Sequence, residues 1–351
     1  MKGEHRRIRV LIVDDSAIVR KILAETIAAE SDMEVVGTAP DPYVAREKII
    51  SLQPDVLTLD IEMPRMDGLT FLKKLMLYHP MPVIVISSLG HSSCESCVDA
   101  LRWGAVEVLA KPGGPYTVGE LRTALPAKLR AAAVARITRP AAVAAGSLPV
   151  QATDGYSPRD GCVIAIGAST GGTEAIREIL VQLPLGLPGV VITQHIPPVF
   201  STAFANRLDQ LCAIEVREAK DGDEIRQGTA LVAPGGFHLM VRRAAGSYYV
   251  QVQMGPQVCY QRPSVDVMFA SVAETAGDRA LGVLLTGMGS DGAKGLLRMK
   301  LAGAQTIVQD QDSCVVYGMP REAVKLGAAD QVLPLSEISR AIVAGCMSPG
   351  R

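Results

Sequence analysis

A chain of 351 residues that is 48% hydrophobic and 20% charged has room for two packed domains and is too apolar to be disordered. Its net charge of −1 provides no basic field for nucleic acid, and no apolar stretch is long enough to span a bilayer. The seven cysteines are scattered, Cys94 and Cys97 make the one C-x-x-C, and no second pair completes a zinc site. They read as reduced thiols. Asp14-Asp15 interrupts the N-terminal apolar run too early for a secretory signal, so the expected compartment is the cytoplasm, with no direct membrane insertion.

Residues 1–128 read as one domain. Five apolar runs (8–13, 33–38, 56–59, 83–86 and 106–110) alternate with amphipathic helical patterns such as 17–29 and 43–52. The runs are continuous, as expected of strands covered on both faces, and strand–helix repetition of this kind predicts a doubly wound parallel sheet. Polar residues stand where the runs end: Asp14 and Asp15 after the first, Asp60 after the third, Ser87 after the fourth, Lys111 after the fifth. In a parallel sheet these ends share one edge, the usual ligand crevice. Crowded carboxylates repel, and a hard cation such as Mg²⁺, with waters and a phosphoryl oxygen, would relieve that repulsion. Read singly, each aspartate could as well cap a helix.

The runs L-I-V-D-D-S (11–16), L-D-I-E-M-P-R-M-D-G (59–68), V-I-S-S (85–88) and K-P (111–112) together resemble a response-regulator receiver domain. The resemblance implies a flavodoxin-like fold with a five-stranded parallel sheet. It implies Asp60 as phospho-acceptor, Asp14, Asp15 and Asp60 as the Mg²⁺ site, Ser87 as the switch hydroxyl and Lys111 as the partner of the phosphoryl group. One departure stands out. Many receivers carry an aromatic switch residue three positions before the lysine, and here that position is Val108.

Residues 129–160 turn alanine-rich and are then punctuated by Pro140, Gly146, Pro149, Gly155 and Pro158, which reads as a partly helical, then flexible linker. Residues 161–351 resume the alternation, with apolar runs at 162–166, 190–193, 230–233, 281–286 and 306–308 and helical patterns at 265–275 and 293–301. Residues 238–243 and 248–253 form a hairpin pattern. The expectation is a second doubly wound α/β domain with a mostly parallel sheet and an antiparallel hairpin at its edge.

The chemistry of this domain centres on V-I-A-I-G-A-S-T-G-G (163–172), where an apolar run turns through small residues into a helix with Ser169 at the turn. A serine there lies beside the unpaired N–H groups of a helix start; by itself it could simply cap the turn. A nucleophilic serine needs a base, and the base an orienting acid. The domain has two histidines. His195 follows the run 190–193, at a strand end like Ser169, and is favoured over His238, which sits in an alternating run. Asp291, after the run 281–286, is the favoured acid, and the Met288 backbone N–H is a candidate oxyanion donor. Two other patterns compete. Gly167–Gly171 matches the nucleophile elbow of α/β-hydrolases, whose chain order would need His238 with Asp221 or Asp223. Gly287, Gly289 and Gly292, with Asp310 beyond, spell a dinucleotide fingerprint.

G-A-S-T-G-G (167–172), Q-H-I-P (194–197), A-P-G-G-F-H-L (233–239), R-P-S-V-D-V-M-F (262–269), T-G-M-G-S-D-G (286–292) and G-M-P-R-E-A (318–323) resemble the catalytic domain of the CheB family of chemotaxis protein-glutamate methylesterases. The resemblance implies Ser169 as nucleophile, His195 as base, Asp291 as orienting acid and the Met288 N–H at the oxyanion, with no metal in the ester step. It implies hydrolysis of glutamyl γ-methyl esters and deamidation of glutamines on methyl-accepting chemoreceptors. A chemotaxis histidine kinase would be the phosphoryl donor, and the unphosphorylated receiver would cover the active edge. A non-catalytic adaptor, or an esterase serving another receptor pathway, are the alternatives.

Overall fold

The computed structural model describes residues 6–88, 90–112, 117–137, 156–159 and 161–349. The chain divides into two compact units, 1–143 and 144–351.

In the first unit, β1 (Ile8–Val13), β2 (Met33–Ala39), β3 (Val56–Asp60), β4 (Val83–Ser87) and β5 (Glu107–Ala110) form a wholly parallel sheet in the order β2-β1-β3-β4-β5. This is the flavodoxin-like order, and its switch point lies between β1 and β3. Every residue of β3, β4 and β5 is buried, which is why their sequences show no alternation. The helices are α1 (Ala17–Ala28), α2 (Pro42–Leu52), α3 (Gly68–Tyr78), α4 (His91–Arg102) and α5 (Val118–Ala133). Their starts are written locally. Ser16, Asp41 and Asp67 accept from first-turn amides, and Thr117 with Glu120 closes a capping box.

The second unit contains β6 (Tyr156–Pro158), β7 (Val163–Ala168), α6 (Gly172–Leu180), β8 (Val190–Gln194), α7 (Phe200–Asp209), β9 (Glu215–Glu218) and β10 (Thr229–Val232). They are followed by β11 (His238–Ala244), β12 (Ser247–Gln253), α8 (Val265–Ala276), β13 (Ala280–Leu284), α9 (Ala293–Leu301), β14 (Gln305–Gln309), α10 (Met319–Lys325), β15 (Gln331–Leu333), α11 (Leu335–Cys346) and β16 (Met347–Pro349). Seven strands make one parallel sheet in the order β15-β14-β13-β7-β8-β10-β9. The chain moves one way from β7 to β8 and the other way from β13 to β14, so the switch point falls between β7 and β13. Open α/β sheets bind ligands there, outside the strand ends.

The antiparallel hairpin exists, but it does not extend the large sheet. β11 and β12 form a ladder of their own, turning at Ala245 and Gly246, both at positive φ. Helix α8 packs on both β11 and α9, and Phe269 of α8 is fully buried in the core. Two elements reach into the stretch expected to be a partly helical, then flexible linker. Helix α5 runs to Ala133, in the part expected to be helical. At the other end Tyr156–Pro158 pairs antiparallel with Met347–Pro349. The rest of the expected connector, 138–155 and 160, lies outside the described residues.

Candidate active site and acidic crevice

Strand β7 is buried along its whole length and ends at Ala168, leaving Ser169 at the switch point. The Ser169 N–H donates to Thr286 O at 3.0 Å, and Ser169 O accepts from Gly172 N at 2.7 Å and Gln194 Nε2 at 2.8 Å. The turn is thereby held from β8 and from the loop after β13. Gly171 adopts φ 77°, and a Cβ there would meet Val315 Cβ at 2.6 Å, so the turn demands glycine twice over. The same holds across the crevice: a Cβ on Gly287 would lie 2.6 Å from Ser169 Cβ. The Ser169 hydroxyl makes no hydrogen bond with a described residue.

Strand β8 pairs with β7, and His195 follows it directly, its N–H donating to Ala168 O at 3.2 Å. The ring is 5% exposed and its Nε2 lies 2.7 Å from Asp291 Oδ2. Its Nδ1 is buried and has no partner among the described residues. Strand β13 pairs with the other edge of β7, and the loop after it supplies Met288 and Asp291. The Met288 N–H donates to none of the described residues. Three adjacent strands thus bring Ser169, His195, Asp291 and Met288 to one edge.

Asp291 is the most heavily bonded group of the site. Its Oδ1 accepts from Ser264 Oγ at 2.8 Å and Asp266 N at 2.9 Å, and its Oδ2 accepts from Val265 N at 2.8 Å as well as from His195. The carboxylate therefore sits on the N-terminus of α8, where unpaired amides and the helix dipole favour negative charge. Burial alone would push Asp291 up; the hydrogen bond and charge of His195, then the Asp266 N–H and the Ser264 hydroxyl, outweigh it and hold the carboxyl below its ordinary value. An ionised carboxylate only accepts, so the proton of a neutral His195 is on Nε2 and the lone pair is on Nδ1.

The sign of the stability effect follows. The unfolded chain has an ordinary aspartate pKa of about 4, so Asp291 contributes its full stabilisation above that value and loses it as pH falls through the lower folded one. Urea midpoints of the second unit are expected to fall steadily below about pH 4, and to do so with a shallower slope in Asp291→Asn.

His238 is not a base in this arrangement. It opens β11, is buried, and has both ring nitrogens engaged: Nε2 donates to Pro256 O at 2.8 Å and Nδ1 accepts from Ser264 N at 3.2 Å. It steadies Ser264, which in turn holds Asp291. Asp221 and Asp223 are remote from this edge in their bonding, capping Val252 N and Lys220 N, and Asp223 pairs with Arg217. Asp310 takes up Ser313 N and Oγ at 2.9 and 2.6 Å, so the fingerprint acid is locally engaged and the glycines serve the Met288–Asp291 loop.

In the first unit the β1–β3 switch point holds the acidic crevice. Single oxygens of Asp14, Asp15 and Asp60 lie within 4.8 Å of one another. Lys111 Nζ donates to Asp60 Oδ2 at 2.6 Å and reaches Asp14 Oδ2 at 3.1 Å. Burial raises Asp14 and pushes Asp60 up to about 6, against the pull of Lys111. Three carboxylates facing one ammonium leave negative charge in a half-buried site, and this all-oxygen set fits a hard divalent cation. Ser87 ends β4, fully buried, with no nitrogen or oxygen partner for its hydroxyl among the described residues and Cys97 alongside. Val108 is buried in β5, an aliphatic side chain where receivers with an aromatic switch have a ring.

Ser169, His195, Met288 and Asp291 thus share one strand edge of the second unit, and Asp14, Asp15, Asp60, Ser87 and Lys111 stand at strand ends of the first. Three residues have contacts that the sequence does not announce: Gln194 and Ser264, which went unassigned, and His238, which was weighed only as a base. All lie inside the motifs Q-H-I-P, R-P-S-V-D and G-F-H-L, but their contacts join segments 25 to 27 positions apart and leave no local signature.

A parallel sheet with a strand-end serine, and a buried histidine–aspartate pair drawn from the strands on either side of it, places the second unit among α/β hydrolytic domains; the first has the sheet order and acidic crevice of a receiver. Comparison with known proteins narrows both. The CheB methylesterase family matches residues 164–342 and the response regulator receiver domain matches residues 10–124. A protein-glutamate methylesterase/protein-glutamine glutaminase of Syntrophus aciditrophicus (strain SB) is 54% identical over 341 residues, 96% of this chain and 98% of that one. Another, from Anaeromyxobacter dehalogenans (strain 2CP-C), is 52% identical, covering 97% and 95%. The crystal structure of the Thermotoga maritima CheB methylesterase catalytic domain is 36% identical with a TM-score of 0.52, covering 53% of this chain and 99% of that one. The chain belongs to the CheB methylesterase family, with a receiver domain at its N-terminal end.

Proposed function

We propose that this protein is a receiver-regulated protein-glutamate methylesterase and protein-glutamine glutaminase that serves chemotactic adaptation. The observation that carries the catalytic reading is the buried His195–Asp291 pair, which leaves His195 Nδ1 without a partner among the described residues, beside the strand bearing Ser169. Ser169 Oγ attacks the γ-carbonyl of a methylated glutamate as Nδ1 takes its proton. The C–O bond of the ester breaks and methanol leaves with that proton. Water, deprotonated by the same nitrogen, then releases the glutamate. With a glutamine side chain the leaving group is ammonia. The Met288 N–H meets the oxyanion. Asp291, fixed by three donors from Ser264, Val265 and Asp266, keeps the imidazole in the Nε2–H form and stabilises its charged state. The ring is used the other way round from the chymotrypsin arrangement, in which Nδ1 faces the acid.

In the receiver, Asp60 accepts the phosphoryl group, Lys111 pairs with it and Ser87 is the hydroxyl that turns toward it. Asp14, Asp15 and Asp60 would hold Mg²⁺, which supplies charge neutralisation for the phosphoryl oxygens. The phosphoryl donor is a chemotaxis histidine kinase, the protein substrates are methyl-accepting chemoreceptors, and the compartment is the cytoplasm. Among the described residues no helix is long and apolar enough to cross a membrane.

The test is methanol release from methylated receptor with and without a small-molecule phosphoryl donor. Activity is expected to rise with the donor and Mg²⁺, and the rise is expected to vanish in Asp60→Asn while basal release persists. A full response in Asp60→Asn contradicts the assignment of the phospho-acceptor.

A further inference from the structure

Cys162 and Cys346 take no part in the site above, yet their Sγ atoms lie 3.7 Å apart although 184 positions separate them in the chain. Cys162 stands immediately before β7, and Cys346 is the last residue of α11. A backbone bond joins the two segments, Arg159 N donating to Cys346 O at 2.9 Å, and a turn bond from Cys162 N to Arg159 O at 3.1 Å keeps Cys162 beside it. The β6–β16 ladder continues the contact, pairing Pro158 with Met347. Arg159 Nη1 reaches Gly345 O at 3.3 Å, which brings a guanidinium to the thiols. Cys162 is 8% exposed and Cys346 fully buried.

Buried cysteines often serve as small apolar side chains. This pair differs in having its sulfurs in contact and its two segments tied by main-chain bonds. The contact with the Cys346 sulfur holds Cys162 below the usual thiol range; burial opposes this and the Arg159 charge assists it. The same contact pushes Cys346 up. A more acidic thiol with a resolving thiol in contact is the arrangement of a redox-active pair. The flanking strands have three residues each and can open locally at small cost, giving an oxidant access.

We propose that Cys162 and Cys346 are a reversible disulfide site, oxidised by hydroperoxides, that fastens the segment entering the second unit to the segment leaving it. The Cys162 thiolate attacks the O–O bond of the hydroperoxide and becomes a sulfenic acid as an alkoxide, or hydroxide from H₂O₂, departs and takes up the proton that the thiol released on ionising. Cys346 sulfur then attacks the sulfenic sulfur, the S–O bond breaks, and water leaves with the Cys346 proton. Two thiols are oxidised and one peroxide is reduced. A dithiol restores both thiols by exchange and is itself oxidised to a disulfide. The bond closes a loop spanning nearly the whole second unit, so it constrains the unfolded chain strongly.

The experiment treats the full-length protein with graded H₂O₂, alkylates the remaining thiols, and maps a non-reducing digest by mass spectrometry. A linked Cys162–Cys346 peptide is expected to grow with dose and to disappear on dithiothreitol treatment. The thermal midpoint is expected to rise by several degrees on oxidation, with no rise in Cys162→Ala or Cys346→Ala. Recovery of both cysteines as alkylated thiols, while the exposed Cys259 is oxidised, overturns the proposal. So does irreversible oxidation of Cys162 without a link to Cys346. The peptide map of the unaltered chain is decisive even if a variant fails to fold.

Discussion

Replacing Ser169 by alanine is expected to lower methanol release on the order of 10⁶-fold, about 8 kcal/mol of transition-state stabilisation. The loss is that of the nucleophile alone. Alanine keeps the Cβ that sits against Gly287, and the backbone bonds to Thr286, Gly172 and Gln194 do not involve the hydroxyl. The circular dichroism and thermal midpoint of Ser169→Ala are therefore expected to match those of the unaltered chain. Because the side chain is 3% exposed, removing one oxygen changes little surface. Release of methanol at a substantial fraction of the normal rate would show that another group attacks the ester.

The second large effect concerns Asp291→Asn, expected to lower kcat by about 10⁴-fold. Four donors converge on the two carboxylate oxygens: Ser264 Oγ and Asp266 N on one, Val265 N and His195 Nε2 on the other. An asparagine has one oxygen and one NH₂ group. If the NH₂ faces His195, the ring must accept at Nε2 and carry its proton on Nδ1, so the nitrogen meant for Ser169 has no lone pair. If the NH₂ faces the helix, it meets Asp266 N–H as one donor facing another in a buried place. Either orientation costs activity, and each also costs stability, since an NH₂ in place of Oδ2 meets the Val265 N–H just as one in place of Oδ1 meets the Asp266 N–H. Kinetics with nitrogen-resolved NMR of His195 separate the two: the first orientation moves the proton to Nδ1, the second leaves it on Nε2. A variant with near-normal kcat would mean that Asp291 does not orient the base.

Most of the architecture was readable because parallel, doubly covered strands leave a plain mark. The runs at 83–86 and 190–193 were continuous since β4 and β8 are buried throughout. The site was readable because its residues follow such runs directly. What escaped detection lacks that mark. Strand β9 reads E-V-R-E and β15 reads Q-V-L; both are edge strands, half exposed, so their polarity hides them. The three-residue pairing of β6 with β16 joins the two ends of the second unit and has no periodicity to find. The hairpin was evident from its turn, but its independence from the main sheet depends on α8 packing against β11, a tertiary fact. The cap on Asp291 was hidden for the same reason: it needs the start of α8 brought to the end of β13. The choice of His195 nitrogen is likewise a matter of three-dimensional bonding, since a residue name leaves both ring atoms open.

Labelling with a serine-directed fluorophosphonate, followed by peptide mapping, tests the catalytic account most directly. The account predicts a single stoichiometric adduct on Ser169, slowed strongly in His195→Gln, with methanol release lost in proportion to labelling. An unlabelled Ser169, or a fully labelled Ser169 in a protein that still releases methanol from methylated receptor, would contradict it.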